Sequence, residues 1–374
     1  MAGIYVHIPF CRKACHYCNF HFSTTAKNMS AMVQAITKEA WLRKDYLTEP
    51  VSTIYFGGGT PSMLPVEDIT LQIDAFRTLF KVGADAEITL EANPDDITAE
   101  KLAAWKSAGI NRLSIGVQSF IEADLEWMNR AHNAAQAQQS IQLAQQAGFN
   151  NITIDLIYGT PTLTDEQWQQ NVQTAIELNI PHLSCYALTV EPKTALDKMI
   201  AAHTMANVDP EKQGRHFELL MQWLKEAGYE HYEISNFARP GMRSRHNSSY
   251  WQGKPYLGLG PSAHSFNGSS RQWNVANNAL YINSMEDGTV PFEIEELTPT
   301  QQLNEYIMTS LRTMEGLALQ RVGERWGSED AARIMSESGV FLNEGKMTHK
   351  NNHLVLTNKG RLFADGIAAD LFKD

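Results

Sequence analysis

Short β-rich runs alternate with helical stretches six times between the first residue and about residue 228. This alternation predicts a parallel sheet whose strands are joined by right-handed helical crossovers. An open doubly wound sheet and a barrel or partial barrel both satisfy it, and both place chemistry at the C-terminal ends of the strands. The predicted strands are 4–9, 53–56, 88–91, 112–117, 152–157 and 182–187, and the predicted helices are 30–47, 67–80, 99–108, a broken stretch 122–147, 165–178 and 210–227.

The pattern changes after residue 228. Residues 229–237 are predicted to form one more strand, and a Gly-, Ser- and Asn-rich stretch with many aromatic residues follows it to about residue 278. From about residue 298 the pattern is helical and closes with a short strand, a turn and a helix, which predicts a small winged-helix-like α+β domain. The predicted organisation is therefore a core over 1–228, an extension over 229–297 and a C-terminal domain over 298–374.

Charge and hydropathy exclude several classes of protein. The chain has 374 residues and a formal net charge of −11, which argues against a general nucleic-acid binder because such proteins have a basic surface. No apolar run approaches the roughly 18 residues of a transmembrane helix. The N-terminus lacks the charged region and the cleavage site of a signal peptide, so we expect a cytoplasmic protein.

Three of the four cysteines fall within eight positions, in CRKACHYC after the first strand. Cys11, Cys15 and Cys18 have the spacing C-x3-C-x2-C, and thiolates favour zinc or iron–sulfur. Three cysteines on a [4Fe–4S] cluster leave one iron free for an exogenous molecule, and this is the favoured interpretation. Three buried thiols without a metal are an alternative, as is a zinc site, which would need a fourth ligand; the candidates for that ligand are His7, His16 and His21. Cys185, within the sixth strand, is expected to be an inert buried thiol.

Short polar motifs follow the other strands directly. A glycine-rich turn, Gly57 to Thr60, comes after the second strand, where glycines let the backbone approach a ligand and offer N–H groups. A tight strand-to-helix turn is the alternative interpretation, and no P-loop follows it. The side chains at the ends of the next three strands should point into a barrel mouth, where buried polar groups need partners. They are Glu91, Gln118 and Asp155, with Arg130 on the following segment as a partner for a carboxylate.

These motifs carry a family resemblance. The cysteine spacing, with Tyr17 before the last cysteine, resembles the radical S-adenosylmethionine (SAM) superfamily. Within it, YVHIPFC, YFGGGTPS, LEANPDD, SIGVQSF and DLIYGTP resemble the oxygen-independent coproporphyrinogen III oxidase family. The resemblance implies a partial (β/α)6 barrel, an α/β fold, and a cluster whose unique iron binds the amino and carboxylate groups of SAM. It implies SAM contacts at Tyr5, Tyr17, Gly58, Gly59, Thr60, Glu91, Gln118, Arg130 and Asp155.

Two departures distinguish the chain from the oxidase. The oxidase motif carries an additional Cys at the position of Phe20, and the oxidase has an N-terminal extension before the first strand. Both differences match the shorter HemW-type haem chaperone branch, whose members bind haem and pass it to acceptor proteins. The resemblance therefore implies a chaperone for respiratory or iron-storage haemoproteins, with oxidase activity doubted and dimerisation left open. The rival is a radical SAM enzyme that decarboxylates coproporphyrinogen III without oxygen.

A second motif, H-N-x-x-Y-W, lies in the extension. It is similar to the pattern associated with haem binding in the chaperone branch and comprises His246, Asn247, Tyr250 and Trp251. Imidazole is an axial ligand for haem iron, and aromatic rings pack on a porphyrin face. The alternative is a packed corner of the fold. Arg243 and Arg245 are candidates for pairing with haem propionates, and His264 is either a rival ligand or a neighbour of the SAM site.

Overall fold

The computed structural model describes residues 1–374 and shows six parallel strands joined by helices. Each strand pairs with the next one along the chain, as the predicted partial (β/α)6 barrel requires. The third strand begins six residues before the predicted one; the others agree within three residues. They are β1 (Ala2–Ile8), β2 (Val51–Gly58), β3 (Val82–Ala92), β4 (Arg112–Gln118), β5 (Ile152–Tyr158) and β6 (His182–Ala187).

The crossover helices begin and end at local signals. Thr98 and Thr164 accept backbone N–H groups as N-caps, and Gly109 ends its helix in the left-handed conformation, at φ +99°. The helices are α1 (Met29–Leu42), α2 (Val66–Leu79), α3 (Ala99–Ala108), α4 (Glu122–Trp127), α5 (Ala134–Gln146), α6 (Asp165–Glu177), α7 (Ala195–Ala201) and α8 (Pro210–Glu226). The strands and the apolar faces of α1, α2, α3, α5, α6 and α8 enclose the main hydrophobic core, whereas α4 and α7 contribute to a small separate cluster.

The prediction of one strand over 229–237 is wrong. The segment forms a hairpin, β7 (Glu230–Glu233) and β8 (Asn236–Ala238), whose second strand runs antiparallel to β6. The carboxylate of Glu233 closes the turn, because its Oε2 accepts hydrogen bonds from the Ser235 N–H at 3.1 Å and the Asn236 amide at 2.7 Å.

The extension adds strands to the opposite edge of the sheet. After α9 (Arg245–Trp251), β9 (Tyr256–Leu259) pairs in parallel with β1. The strands β10 (His264–Phe266), β11 (Ser270–Asn274) and β12 (Phe292–Glu296) then continue the sheet antiparallel, with α10 (Asn278–Glu286) between the last two. The result is a twelve-stranded sheet in the order β12-β11-β10-β9-β1-β2-β3-β4-β5-β6-β8-β7.

A buried charge fixes the extension to the barrel. Glu39 of α1 is fully buried and accepts hydrogen bonds from the Gly260 N–H at 2.8 Å, the Asn274 amide at 2.8 Å and the Tyr281 hydroxyl. Its remaining partner is Arg43, at 3.1 Å. Because a buried carboxylate is tolerated only when paired and hydrogen-bonded, this network specifies how the extension packs.

The C-terminal residues form a separate small core with a three-stranded antiparallel sheet, in the order β13-β15-β14. Helix, strand, helices and a β-hairpin follow one another as in a winged-helix domain, as predicted. The elements are α11 (Pro299–Leu311), β13 (Leu317–Ala318), α12 (Leu319–Trp326), α13 (Ser328–Glu337), α14 (Gly339–Asn343), β14 (Met347–Lys350), β15 (His353–Leu356), α15 (Asn358–Arg361) and α16 (Ala364–Asp370). No helix is long and apolar enough to cross a membrane.

Candidate cofactor site

A cavity of about 420 Å³ opens at the C-terminal ends of the barrel strands. Parallel strands bring their C-terminal ends to one edge, so polar residues that are far apart in the sequence meet there. The predicted cluster and SAM residues, with the exception of Tyr5, all line this one cavity: Cys11, Cys15, Tyr17, Cys18, Gly58, Gly59, Thr60, Glu91, Gln118, Arg130 and Asp155.

The three clustered cysteines lie on a loop between β1 and α1. The loop is closed at its base by hydrogen bonds between Cys11 and Ser23 at 3.0 Å and between Ser23 and Pro9 at 2.9 Å. All three thiols are free and half-buried. Burial, together with the neighbouring thiols, raises the pKa of Cys11 to about 11. The thiols line one wall of the cavity, and no three metal-binding side chains converge on a single point.

The chemistry of the donor set fits an iron–sulfur cluster better than zinc. A closed zinc site needs a fourth protein ligand, and none of the three candidate histidines lines the cavity. Ring nitrogens of all three already hydrogen-bond elsewhere. His7 bonds the carbonyl of His21, His16 bonds that of Trp127, and His21 bonds the side chain of Asn278. Three thiols without a fourth protein ligand are the donor set of a cluster with one open iron.

Arg130 provides a fixed positive charge beside the cysteines. Its guanidinium donates to Cys15 Sγ at 3.1 Å, to Asn93 Oδ1 at 2.9 Å and to the Gly116 carbonyl at 2.7 Å. At the end of β4 the backbone of Gln118 has φ +68°, a conformation that non-glycine residues seldom adopt. This bend interrupts the pairing register with β5 and brings the Gln118 side chain to the cavity.

Two carboxylates in the cavity wall have no positively charged partner. Glu91 accepts hydrogen bonds from the Tyr55 hydroxyl at 2.7 Å and the Gly58 N–H at 3.1 Å. Burial raises the pKa of Glu91 to about 7, although the Tyr55 hydrogen bond opposes the shift. Burial likewise raises the pKa of Asp155 to about 6, opposed by Ser184. A ligand with a cationic group and hydroxyl donors would supply the missing partners, and SAM carries both.

The glycine turn differs from the expectation in one respect. Gly58 has φ +102°, and a Cβ there would lie 2.4 Å from the His7 ring, so glycine is required. The expected free N–H groups, however, are all used within the protein, because Gly58 donates to Glu91, Gly59 to Ile8 and Thr60 to Phe10. The turn can therefore offer carbonyl oxygens and the Thr60 hydroxyl, which are acceptors that suit an ammonium group.

Tyr5 does not line the cavity. It lies inside the barrel, where its hydroxyl hydrogen-bonds His7 Nδ1 at 3.1 Å and its ring stacks on Tyr55 with a centroid distance of 6.2 Å. A contact between Tyr5 and SAM thus stays a prediction, and its observed role is to pack against a residue that contacts Glu91. Tyr55 and Asn93 were not predicted as site residues, although both lie in the motifs YFGGGTPS and LEANPDD.

The H-N-x-x-Y-W motif lies at the other end of the barrel. It forms α9, whose N-terminus is held by Glu87, because this carboxylate accepts the N–H groups of Arg245 at 3.2 Å and His246 at 3.0 Å. His246 is 1% exposed and hydrogen-bonds Thr53 Oγ1 and the Tyr250 hydroxyl, each at 2.8 Å. Burial lowers the pKa of His246 to about 3, so the ring is neutral.

This arrangement changes the expectations for haem binding. With both ring nitrogens engaged, His246 cannot ligate an iron until it leaves Thr53 and Tyr250; ligation stays a prediction. The arginines expected for propionates are paired within the protein, Arg243 with Glu230 and Glu315 and Arg245 with Asp85. Asn247 is half-buried within α9, Trp251 has a buried indole N–H without a partner, and His264 lies outside both the cavity and α9.

Comparisons with known proteins agree with the architecture and the motifs. The Radical SAM superfamily model matches residues 5–175, and the HemN C-terminal domain model matches residues 297–363. The chain is 33% identical over 371 residues to the protein named Heme chaperone HemW of Bacillus subtilis, covering 98% of each chain. It is 37% identical over 379 residues to Heme chaperone HemW of Escherichia coli, covering 98% of this chain and 96% of the relative.

A solved structure shares the whole fold. Coproporphyrinogen III oxidase (HemN) from Escherichia coli superimposes with a TM-score of 0.86 at 24% identity, covering 100% of this chain and 90% of the other. At that identity the similarity establishes the arrangement of barrel, extension and C-terminal domain.

Proposed function

This chain belongs to the Heme chaperone HemW family of the radical SAM superfamily, and we propose from that membership that it binds haem and delivers it to haemoproteins. The observation that carries the proposal is the similarity to haem chaperones along almost the entire chain, including the extension and the C-terminal domain.

The proposal includes an iron–sulfur cluster on Cys11, Cys15 and Cys18 and a SAM molecule beside it. When bound, the cluster would supply an iron with an open position for the amino and carboxylate groups of SAM. The chain's own residues orient the ligand: Arg130 neutralises thiolate charge at Cys15, and Glu91 accepts hydrogen bonds from a cationic or hydroxyl-bearing group. Three half-buried thiols support this assignment, because they line the same cavity as two carboxylates that have no positively charged partner.

The same cavity would serve a radical SAM oxidase, so the residue that distinguishes the two functions matters. Phe20 stands where the oxidase family has an additional cysteine, and it lines the cavity as a residue that is 66% exposed. A phenyl ring cannot supply the thiol at that position. We therefore favour haem delivery, with the cluster and SAM controlling haem transfer, over decarboxylation of coproporphyrinogen III.

The acceptors are proposed to be haemoproteins of respiratory or iron-storage type that are reached from the cytoplasm. Delivery requires that haem leaves the chain when an acceptor is present, so binding must be reversible or controlled.

The test is a transfer experiment. The full chain with its cluster reconstituted is loaded with haem under anaerobic conditions and mixed with a tagged, haem-free acceptor, which is then separated and its haem absorption measured. We expect the acceptor to gain haem faster than it does from an equal concentration of haem bound to serum albumin. Transfer at the albumin rate, or retention of haem by the chain, would contradict the proposal.

A further inference from the structure

A second cavity, of about 450 Å³, lies between the extension and the C-terminal domain. Its walls come from the end of α9, from β9 to β11, and from α11 and α12. We propose that this cleft is the haem-binding site, with its arginines holding the propionates; the inference rests on the proposed function and adds the location and the mode of recognition.

The walls of the cleft suit a flat apolar ligand. Five half-buried aromatic side chains line it, namely Tyr250, Trp251, Tyr256, Phe266 and Tyr306. Trp251 also has a buried indole N–H without a hydrogen-bond partner, which an occupant of the cleft would satisfy. Aromatic side chains supply large contact areas for a planar ring system, and a cavity of this size is within the usual range of roughly 300–1,000 Å³ for small-molecule sites.

The charges that line the cleft point to an anion. Arg321 and Arg325 of α12 have no carboxylate partner; Arg325 donates only to the Gln302 side chain at 2.8 Å. The lining includes one carboxylate, Glu305, and it is paired with Arg271 at 2.9 Å. Unpaired cations gathered at one cleft are notable in a chain of net charge −11. Guanidinium groups recognise carboxylates through paired N–H donors, and haem carries two propionates.

The cleft also gives the H-N-x-x-Y-W motif a physical role. Tyr250 and Trp251 line the cleft, whereas His246 lies behind them and hydrogen-bonds the Tyr250 hydroxyl. In this arrangement the tyrosine and tryptophan contact the haem, and the histidine fixes the tyrosine. In this proposal the motif and the C-terminal domain form the two sides of one site.

The experiment compares two ligands that differ only at their propionate groups. Haem and haem dimethyl ester, in which both propionates are blocked, are titrated into the cluster-reconstituted full chain and followed by the haem absorption band. The variants are Arg321→Ala with Arg325→Ala, and the matched control is Arg77→Ala, an arginine of α2 that is 50% exposed and lies outside the cleft. Both cleft arginines are exposed, so the double variant should fold.

We expect the wild-type chain and Arg77→Ala to bind haem at least tenfold more tightly than the ester. In the double variant the affinity for haem should fall tenfold or more, whereas the affinity for the ester should fall less than twofold. The double variant should therefore no longer distinguish haem from its ester. If the double variant binds haem as tightly as the wild type, or if its affinities for haem and for the ester fall by the same factor, the assignment of haem to this cleft is wrong, although the chain still binds haem. If the wild type binds no haem, the proposed function fails as well.

Discussion

Glu91 gives the cofactor site a pH dependence that can be measured. Its carboxyl group has a pKa of about 7, because burial disfavours the charged form and Asp155 adds repulsion. It must be ionised to hold a cationic ligand, so binding of SAM should strengthen as the pH rises through 7. The ligand-free protein should respond in the opposite direction. Because the pKa of Glu91 is raised on folding, the free energy of unfolding should fall as the pH rises from about 4.5, the pKa in the unfolded chain, to about 7.

The magnitude follows from the ionised fraction. A carboxyl group with a pKa of 7 is about 10% ionised at pH 6 and about 90% ionised at pH 8, a roughly tenfold change that corresponds to about 1.4 kcal/mol of binding free energy. Asp155, with a pKa of about 6, contributes roughly a further twofold over the same interval.

The assay is equilibrium binding of SAM to the cluster-reconstituted chain between pH 6 and pH 8. Glu91→Gln removes one titration and should leave only the roughly twofold effect of Asp155. Asp155→Asn should leave an effect of Glu91 that is smaller than tenfold between pH 6 and pH 8, because loss of the Asp155 charge lowers the pKa of Glu91. Ionisation of SAM itself is common to all three proteins and cancels in the comparison. Identical pH profiles for the wild type and Glu91→Gln would refute the role given to this carboxylate.

Three further changes have defined outcomes. Cys15→Ala should remove the iron–sulfur absorption near roughly 400 nm, whereas Cys185→Ala should keep it, and iron and sulfide analysis checks both. Tyr55→Phe removes a hydrogen bond that lowers the pKa of Glu91, so the pH profile of SAM binding should move to higher pH. Glu39→Ala leaves buried partners unsatisfied and should lower the free energy of unfolding by about 3–5 kcal/mol in urea denaturation; a loss below about 1 kcal/mol would contradict the packing role of Glu39.

The sequence predicted the barrel and the cofactor cavity because both depend on local signals. Alternating strands and helices imply parallel pairing, and residues placed after each strand must then meet at one edge. Glu91 and Asp155 could therefore be assigned to one site although 64 positions separate them.

Features that depend on long-range pairing could not be predicted in the same way. Nothing local shows that β9 joins the edge of β1, or that the turn at Ser235 divides one apparent strand into two. The sequence left a haem ligand and a packed corner as alternatives for His246, because its burial depends on Thr53 and Tyr250 reaching both ring nitrogens. The second cleft combines three separate segments and has no signature within any one of them.

The central claim, that this chain carries haem and does not make its precursor, is tested most directly in one anaerobic preparation. The reconstituted chain is reduced with dithionite and given SAM and coproporphyrinogen III, while haem is titrated into a second portion. A haem carrier should show saturable haem binding and form no decarboxylated porphyrinogen. Multiple turnovers of coproporphyrinogen III, despite Phe20, would contradict it and identify the chain as an oxidase.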